Sequence, residues 1–251
     1  MIQLKELTLG YGQRILLDKV SARITGGQLV ALLGRNGTGK STLLRAIMGL
    51  EKPQTGEIVL QGKNIASLKP EKLARNISFV TTDKVRIANL RCEDVVALGR
   101  APYTNLIGQL QPADQERVDK AMQLVGMSGY ADKTMDKMSD GECQRIMIAR
   151  ALAQDTPVVL LDEPTAFLDL PNRYELCLLL KKLAQEEGKC ILFSTHDLDI
   201  ALSLCDFIML IDNPQLYSLP TPEMVTSGHI ERLFRNKSVT FDAREMRVRI
   251  K

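Results

Sequence analysis

A glycine-rich motif near the N-terminus constrains the fold of this chain more than any other feature. It fills every fixed position of the pattern G-x-x-x-x-G-K-[ST]. The motif and the residue after it are Gly34, Arg35, Asn36, Gly37, Thr38, Gly39, Lys40, Ser41 and Thr42. Residues 29–33 are apolar, as in a buried parallel strand, and apolar positions after the motif indicate a helix. The sequence therefore predicts a strand, a phosphate-binding loop (P-loop) and a helix.

The residue types of this loop suit a bound polyphosphate. Glycines let the backbone turn tightly and bring its N–H groups against phosphate oxygens, and the following helix presents its positive end to the same anion. Lys40 then reaches the β- and γ-phosphates, and the Ser41 hydroxyl can bind Mg²⁺. The loop therefore predicts nucleotide binding.

Composition is typical of one globular domain. The 251 residues, 45% of them hydrophobic, suffice for a large α/β domain with an inserted subdomain. The net charge of +3 favours no nucleic-acid partner. The five cysteines include no C-x-x-C pair, which is typical of a reducing cytosol. We find no signal peptide and no apolar run of about 18 residues, so we expect any membrane role to depend on a partner.

Hydrophobic spacing predicts alternating strands and helices. Residues 2–65 show short strands separated by glycines, which predicts an antiparallel layer around the P-loop. From about residue 92 to 138 the spacing becomes helical, and the clearest apolar repeat before Gly126 is Val118, Ala121, Met122 and Val125. Further short apolar runs are 158–161, 191–193 and 207–211. A helical pattern separates the first two of these runs, as a parallel sheet requires.

Chemically active residues follow two of the buried runs. Asp162 and Glu163 come directly after 158–161, at the carboxyl end of a strand, where ligands gather in open α/β sheets. We expect Asp162 to hold Mg²⁺ through water and Glu163 to orient the water that attacks the γ-phosphate. His196 follows 191–193 and can donate a hydrogen bond to the γ-phosphate.

A further motif combines a helix start with a glycine. Ser139 and Glu142 have the S-x-x-E spacing of a capping box, in front of a helix that contains apolar residues. A capped helix start with a glycine such as Gly141 exposes backbone N–H groups, which is also how proteins present an anion site.

The order of these motifs resembles the ATP-binding subunit of an ATP-binding-cassette (ABC) transporter. The resemblance runs from the first strand to about Ile211 and includes Leu168-Asp169. It implies a P-loop NTPase (RecA-like) core with an antiparallel β layer and an inserted α-helical subdomain. By this resemblance, residues 1–251 form one ABC domain with a core of about 1–87 and 146–251 and a helical insert of about 88–145. Tyr11 would stack on adenine.

The resemblance also implies cofactors and partners. The family binds ATP with Mg²⁺ and works as a head-to-tail dimer, in which the signature of one subunit covers the nucleotide of the other. The signature residues here are Ser139, Asp140, Gly141 and Glu142. Asp169 would lie at the dimer seam. Closure would drive integral membrane permease subunits, served by a substrate-binding protein, from a peripheral position on the cytoplasmic face of the inner membrane.

Two positions depart from the family pattern. Asp140 stands where a second glycine is usual, and we expect its carboxylate to point away from phosphate, which would repel it. Thr82 stands where a glutamine usually touches Mg²⁺ and signals to the permease. Because a threonine hydroxyl is shorter than a glutamine amide, we expect Thr82 to reach Mg²⁺ only through water, if at all, or Asp83 to substitute for it.

The stretch from Val96 to Thr104 is similar to importers of iron–siderophore complexes, haem and cobalamin. It lies in the helical insert that faces the permease, so it indicates the class of partner rather than the cargo. We therefore expect an ATPase that powers an importer of iron chelates or cobalamin. Two alternatives stay open, a soluble ABC ATPase in cofactor assembly and an ATP-gated structural subunit with little turnover.

The tail beyond Asp212 is predicted to end in a half-exposed strand. Its apolar and basic residues alternate in the order Met246, Arg247, Val248, Arg249, Ile250 and Lys251. We therefore expect one face of this strand to be buried and the other to be solvated.

Overall fold

The computed structural model is an α/β structure that describes residues 1–83, 88–104, 108–234 and 238–250. Its strands are β1 (Ile2–Tyr11), β2 (Arg14–Ile24), β3 (Gln28–Gly34), β4 (Thr55–Leu60), β5 (Lys63–Asn64), β6 (Ile77–Val80), β7 (Val158–Leu161), β8 (Cys190–Ser194), β9 (Phe207–Asp212), β10 (Gln215–Pro220), β11 (Val239–Asp242) and β12 (Arg247–Ile250). Its helices are α1 (Lys40–Ile47), α2 (Pro70–Ala74), α3 (Cys92–Ala97), α4 (Pro112–Leu124), α5 (Asp140–Ala153), α6 (Leu170–Glu187), α7 (Leu198–Leu204), α8 (Thr221–Thr226) and α9 (His229–Arg232).

The chain divides into two compact units. The first consists of Met1–Leu68 and Leu180–Lys251, and the second is Lys69–Leu179. The helical insert expected at about 88–145 falls within the sequence range of the second unit, which also contains β6 and β7. The boundaries of the insert stay a prediction.

An antiparallel sheet in the first unit has the strand order β2-β1-β4-β5. In β1 the buried apolar side chains are Ile2, Leu4, Leu7 and Leu9, and the alternation shifts between Leu4 and Leu7. Glu6 has a φ of +46° at this irregularity. A β-bulge of this kind re-aims the following side chains, so both halves of the strand bury their apolar face. The predicted antiparallel layer is confirmed.

Parallel strands in the first unit carry the P-loop. β3 pairs in parallel with β8 and with β9, and β10 pairs antiparallel with β9. Residues 29–33 are at most 3% exposed, as fully covered parallel strands require. Because Leu32 of β3 lies opposite Ser194 of β8, the residues that follow these two strands emerge at the same edge. The buried strands predicted in this unit are confirmed.

The second unit joins two parallel strands to several helices. β6 pairs in parallel with β7, with Val80 opposite Leu161. In α4, the predicted apolar face is buried, and it comprises Val118, Ala121, Met122 and, at the helix end, Val125. Gly126 follows with a φ of +71°, a left-handed conformation that suits glycine and ends the helix. The predicted helix is confirmed.

The C-terminal strand differs in part from the sequence expectation. β12 exists and pairs antiparallel with β11. Its alternation does not bury one face, because Met246, Val248 and Ile250 are 51%, 43% and 85% exposed. The burial in this hairpin lies on the other strand, because Phe241 of β11 is 3% exposed, whereas all four residues of β12 are exposed. The predicted half-exposed strand is therefore wrong about burial, and Lys251 lies outside the described residues.

All five cysteines are buried thiols that form no disulfide. Burial raises the pKa of the Cys92 thiol to about 11 and that of the Cys190 thiol to about 12. Such thiols are protonated at neutral pH and behave as small apolar side chains. This agrees with the absence of a C-x-x-C pair in the sequence, and the expected reducing compartment stays a prediction.

Candidate functional site

The P-loop has the backbone conformation that its glycines predict. Gly37 and Gly39 have φ angles of +74° and +105°, in the left-handed region that favours glycine. A Cβ atom on Gly39 would also lie 3.2 Å from Cδ1 of Leu16. Thr38 Oγ1 donates a hydrogen bond of 2.8 Å to the carbonyl of Arg35 and closes the loop. This hydrogen bond is a local contact that holds the loop.

Lys40 lies folded over the loop that it belongs to. Its side chain is 6% exposed, and Nζ donates to the carbonyls of Gly34 at 2.9 Å and Arg35 at 3.3 Å. A buried ammonium group requires such partners. Its charge therefore lies at the start of the loop, where a phosphate would meet the backbone N–H groups.

Ser41, Thr42 and Tyr11 lie beside the loop. Ser41 is exposed on the first turn of α1. The hydroxyls of Tyr11 and Thr42 are hydrogen-bonded at 3.2 Å. Tyr11 is 52% exposed, so its ring can be reached by a planar ligand, as the adenine prediction needs. Asn36 is also exposed.

Side chains distant in sequence support the loop backbone. Asn213 Nδ2 donates to the carbonyl of Thr38 at 2.9 Å, and Arg14 Nη2 donates to the carbonyl of Gly37 at 3.3 Å. We did not identify Asn213 or Arg14 from the sequence, because a contact between a side chain and a distant carbonyl leaves no residue pattern.

Arg35 connects the loop to the C-terminal part of the first unit. Its Nε donates to the carbonyl of Leu233 at 2.9 Å, and its Nη2 donates to the carbonyl of Arg232 at 3.1 Å. These carbonyls lie at the C-terminal end of α9, where helix carbonyls lack partners within the helix. The Arg35 side chain thus points to backbone acceptors.

His196 lies on the same sheet edge as the P-loop. The N–H of Thr195 donates to the carbonyl of Leu32 at 3.2 Å, which holds the end of β8 beside β3. The hydroxyl of Thr195 accepts a hydrogen bond from the N–H of Asp197 at 3.0 Å, and Asp197 caps α7. His196 is exposed between these two fixed residues. The structure therefore brings His196 and the P-loop to one edge.

In the second unit, Asp162 and Glu163 follow β7 as predicted. Asp162 is 6% exposed, and its N–H donates to the carbonyl of Val80 at 2.8 Å. Glu163 has a φ of +48°, which is uncommon for a residue with a side chain. Thr82 Oγ1 donates to the carbonyl of Asp162 at 3.1 Å. The structure therefore places Thr82 at the end of β7.

The predicted capping box at the start of α5 is present. Ser139 donates to Glu142 Oε2 from its N–H at 2.8 Å and from its hydroxyl at 2.9 Å. The N–H of Glu142 donates in return to Ser139 Oγ at 3.3 Å. The backbone and side-chain bonds from Ser139 hold the pKa of Glu142 below its ordinary value. Asp140 is the first residue of α5 and is half-buried, and the direction of its carboxylate stays a prediction.

The signature lies next to the start of α6. A Cβ atom on Gly141 would lie 3.2 Å from the carbonyl oxygen of Phe167, so glycine allows this close approach. Asp169 Oδ1 accepts a hydrogen bond from the N–H of Asn172 at 3.2 Å and so fixes the first turn of α6. Gly141 therefore lies close to the short segment that leads from Phe167 to Asp169. This proximity was not predicted from the sequence.

The residues predicted to hold Mg²⁺ have the right chemistry for it. Mg²⁺ prefers oxygen ligands and usually binds through one or two carboxylates together with substrate phosphates. Ser41 offers an exposed hydroxyl beside the phosphate-binding loop, and Asp162 offers a carboxylate. Each side chain is by itself an oxygen donor of the kind that Mg²⁺ takes, and binding of the ion stays a prediction.

Comparison with known proteins identifies the family. A family model described as "ABC transporter" matches residues 17–166. The chain belongs to the ABC transporter family. The resemblance found from the P-loop, the signature and the acidic pair is therefore confirmed, and the chain is an ATP-binding subunit and an ATPase coupled to transport.

Relatives and solved structures match most of the chain. An uncharacterised ABC transporter ATP-binding protein of Methanocaldococcus jannaschii is 41% identical, over 92% of this chain and 79% of the relative. A petrobactin import ATP-binding protein of Bacillus anthracis is 36% identical, over 92% and 85%. A ferric enterobactin transport ATP-binding protein of Escherichia coli is 34% identical, over 95% and 88%.

A solved ABC cassette dimer in a post-hydrolysis state, bound to ADP and Pi, has the same fold. It is 28% identical with a TM-score of 0.77, over 88% of this chain and 99% of that chain. The P-loop NTPase fold is thereby confirmed. ABC cassettes bind ATP, form dimers and work with permease components. Within the ranges that the structure describes, no helix is both long and apolar enough to cross a membrane.

Proposed function

We propose that this chain hydrolyses ATP to power an importer of iron chelates of the siderophore type. The observation that carries this proposal is the likeness to the petrobactin and ferric enterobactin proteins, at 36% and 34% identity over more than nine-tenths of the chain. Haem and cobalamin are the other cargoes suggested by the stretch from Val96 to Thr104. Such chelates are recognised outside this subunit, so the chain needs no pocket for them.

The P-loop binds the polyphosphate of ATP in this proposal. Backbone N–H groups of the loop and the N-terminus of α1 face the phosphates. Lys40 moves its ammonium group from the carbonyls of Gly34 and Arg35 to the β- and γ-phosphates. The exchange replaces neutral acceptors by charged ones, which form stronger hydrogen bonds with an ammonium group. Tyr11 stacks on the adenine.

Hydrolysis is assigned to Glu163 and His196. Glu163 orients the water that attacks the γ-phosphorus, and the bond from this phosphorus to the β-phosphate oxygen breaks to give ADP and phosphate. His196 donates a hydrogen bond to the γ-phosphate. Ser41 and, through water, Asp162 would hold Mg²⁺, which would neutralise charge on the phosphates.

In this proposal, two copies of the chain form a head-to-tail dimer in the assembled transporter. The signature of one copy covers the nucleotide of the other, with Ser139 and Gly141 completing that site, and Asp169 lies at the dimer seam. Integral membrane permease subunits dock on each copy, and a substrate-binding protein delivers the chelate. The chain therefore works peripherally on the cytoplasmic face of the inner membrane, and no nucleic acid takes part.

Co-purification of a permease tests this proposal. Tagged full-length chain is recovered from detergent-solubilised membranes of the source cell, with untagged chain as control, and the bound proteins are identified by mass spectrometry. We expect a polytopic permease in the tagged sample alone. The reconstituted complex is then expected to hydrolyse ATP several-fold faster with a binding protein loaded with a ferric siderophore than with cobalamin.

Other results would contradict specific parts of the proposal. Recovery of soluble partners alone, from membranes that were fully extracted, would support an ATPase of cofactor assembly. Stimulation by cobalamin and not by ferric siderophore would keep the importer and replace the cargo.

A further inference from the structure

The last residue of β6 and the loop that follows it bind the two peptide groups that flank Asp162. The N–H of Asp162 donates to the carbonyl of Val80 at 2.8 Å, which continues the pairing of β6 with β7. The carbonyl of Asp162 accepts a hydrogen bond from Thr82 Oγ1 at 3.1 Å. The second contact comes from a side chain, at the position where the family pattern has glutamine. Thr82 is half-buried, so this bond is partly shielded from water.

The carbonyl that Thr82 holds belongs to the peptide between Asp162 and Glu163. A peptide group is planar, so fixing the direction of its carbonyl also fixes the N–H bond of Glu163. The φ angle of Glu163 then sets where its Cα–Cβ bond points. This angle is +48°, in a sparsely populated region that a residue with a side chain keeps only where its neighbours enforce it.

A second contact fixes the other side of Glu163. The N–H of Ala166 donates to the carbonyl of Glu163 at 3.1 Å, which closes a turn after the strand. The strained residue is therefore bounded by a hydrogen bond before it and a hydrogen bond after it. Only the first of these depends on a side chain, and that side chain is Thr82.

Thr81 and Asp83, on either side of Thr82, form hydrogen bonds with each other. The hydroxyl of Thr81 donates to Asp83 Oδ2 at 3.0 Å and accepts from the N–H of Asp83 at 2.9 Å. Thr81 therefore offers a closely matched control, because it is a threonine one position away whose hydroxyl binds a different partner.

We propose that Thr82 is a positioning residue for ATP hydrolysis, whose hydroxyl holds the Asp162 carbonyl and thereby the left-handed turn that aims Glu163. This inference rests on the proposed role of Glu163. A hydroxyl on Cβ suits this task because the short side chain places it within hydrogen-bond distance of the Asp162 carbonyl, at the end of β7. The Thr82 hydroxyl thus donates its proton to a backbone carbonyl of the protein. Thr82 therefore affects ATP hydrolysis by positioning Glu163.

Substitutions at Thr82 in the full-length chain test the proposal. Thr82→Val keeps the branched shape and removes the hydrogen-bond donor, whereas Thr82→Ser keeps the donor. We expect Thr82→Val to lower kcat by at least about tenfold, since a small misplacement of a catalytic group has effects of this size or larger. KM for ATP and the affinity for ATP are expected to stay within twofold. Thr82→Ser is expected to restore most of kcat, and Thr81→Val to leave it within twofold.

The pattern of kcat and KM separates positioning from a general loss of structure. Full kcat in Thr82→Val would overturn the proposal. Equal losses in Thr82→Val and Thr82→Ser would also overturn it, because the hydroxyl would then be irrelevant. A parallel loss of ATP affinity in Thr82→Val would assign Thr82 to nucleotide binding instead.

A double variant distinguishes this inference from the function on which it rests. In single-turnover assays, Thr82→Val is expected to add no further loss to Glu163→Gln, because both changes act on one group. A further tenfold loss would overturn the positioning role. Unchanged hydrolysis in Glu163→Gln alone would overturn the role of Glu163 itself, and the inference with it.

Discussion

ATP hydrolysis by the Glu163→Gln variant is expected to fall by about 10²–10⁴-fold, whereas ATP binding is expected to stay intact. Glutamine has nearly the shape of glutamate, so the turn after β7 is preserved. Its amide cannot accept a proton from the attacking water, and it orients that water less strongly than a carboxylate does. The expected result is measured as phosphate release at saturating ATP, beside the dissociation constant of a fluorescent ATP analogue.

The same variant is expected to accumulate as an ATP-bound dimer. If the nucleotide joins two copies and hydrolysis separates them, blocking hydrolysis leaves the joined state. Size-exclusion chromatography with and without ATP measures this shift. Glu186→Gln is a suitable control, because Glu186 lies on α6 with a side chain that is 65% exposed. Hydrolysis at the unmodified rate in Glu163→Gln would remove Glu163 from its assigned role.

The features that could be predicted from the sequence are those with a local pattern. The glycines of the P-loop, the box formed by Ser139 and Glu142, and the apolar face of α4 each act over one or two turns of chain. Spacing alone therefore identifies them. The carboxyl ends of β7 and β8 were predicted for a related reason, since a short apolar run followed by polar residues marks the edge of a parallel sheet.

Features that depend on distant neighbours were not predicted. Asn213 is 175 positions from Thr38, whose carbonyl it binds, and nothing in the sequence around either residue indicates the other. The bond from Thr82 to Asp162 spans 80 positions in the same way. Ile250 is exposed although the alternating pattern around it predicted a strand with one buried face. Alternation predicts a strand, but it does not establish that another element covers that strand.

A buried ion pair anchors the stretch from Val96 to Thr104. Arg100 Nε donates to Asp114 Oδ1 at 2.8 Å, and both side chains are less than one-tenth exposed. Arg100 Nη1 also donates to the carbonyl of Ala153 at 2.8 Å, and the guanidinium lies 4.1 Å from the ring centre of Tyr103. Asp114 Oδ2 accepts from the N–H of Gln111 at 3.0 Å, which caps α4. One pair thus connects this stretch to two helices.

The pKa of Asp114 reflects these partners. The N–H of Gln111 and then the guanidinium of Arg100 hold it below the ordinary value, against the opposing effect of burial. A lowered pKa in the folded state means that the ionised carboxylate stabilises the fold above the ordinary Asp range. This stabilisation is lost as the pH falls through about 4 and below.

Arg100→Met is expected to lower the free energy of unfolding by about 3–5 kcal/mol at pH 7, because it leaves the Asp114 carboxylate buried and unpaired. The thermal midpoint should fall on the order of 10 °C in a chain of this length. The deficit relative to the original chain is expected to shrink as the pH falls below the ordinary Asp range, because the unpaired Asp114 carboxyl of the variant takes up a proton before the paired carboxyl of the original chain does.

Two further variants show whether the buried charge is the cause of this destabilisation. Arg100→Met combined with Asp114→Asn is expected to recover part of the thermal midpoint, since asparagine carries no charge and still accepts from the N–H of Gln111. Arg91→Met breaks a pair with Asp94 whose side chains are 48% and 42% exposed, and it should change the midpoint little. Equal midpoints for Arg100→Met and Arg91→Met would contradict the anchoring role of Arg100, because that role requires the buried pair to stabilise the fold more than the exposed pair does.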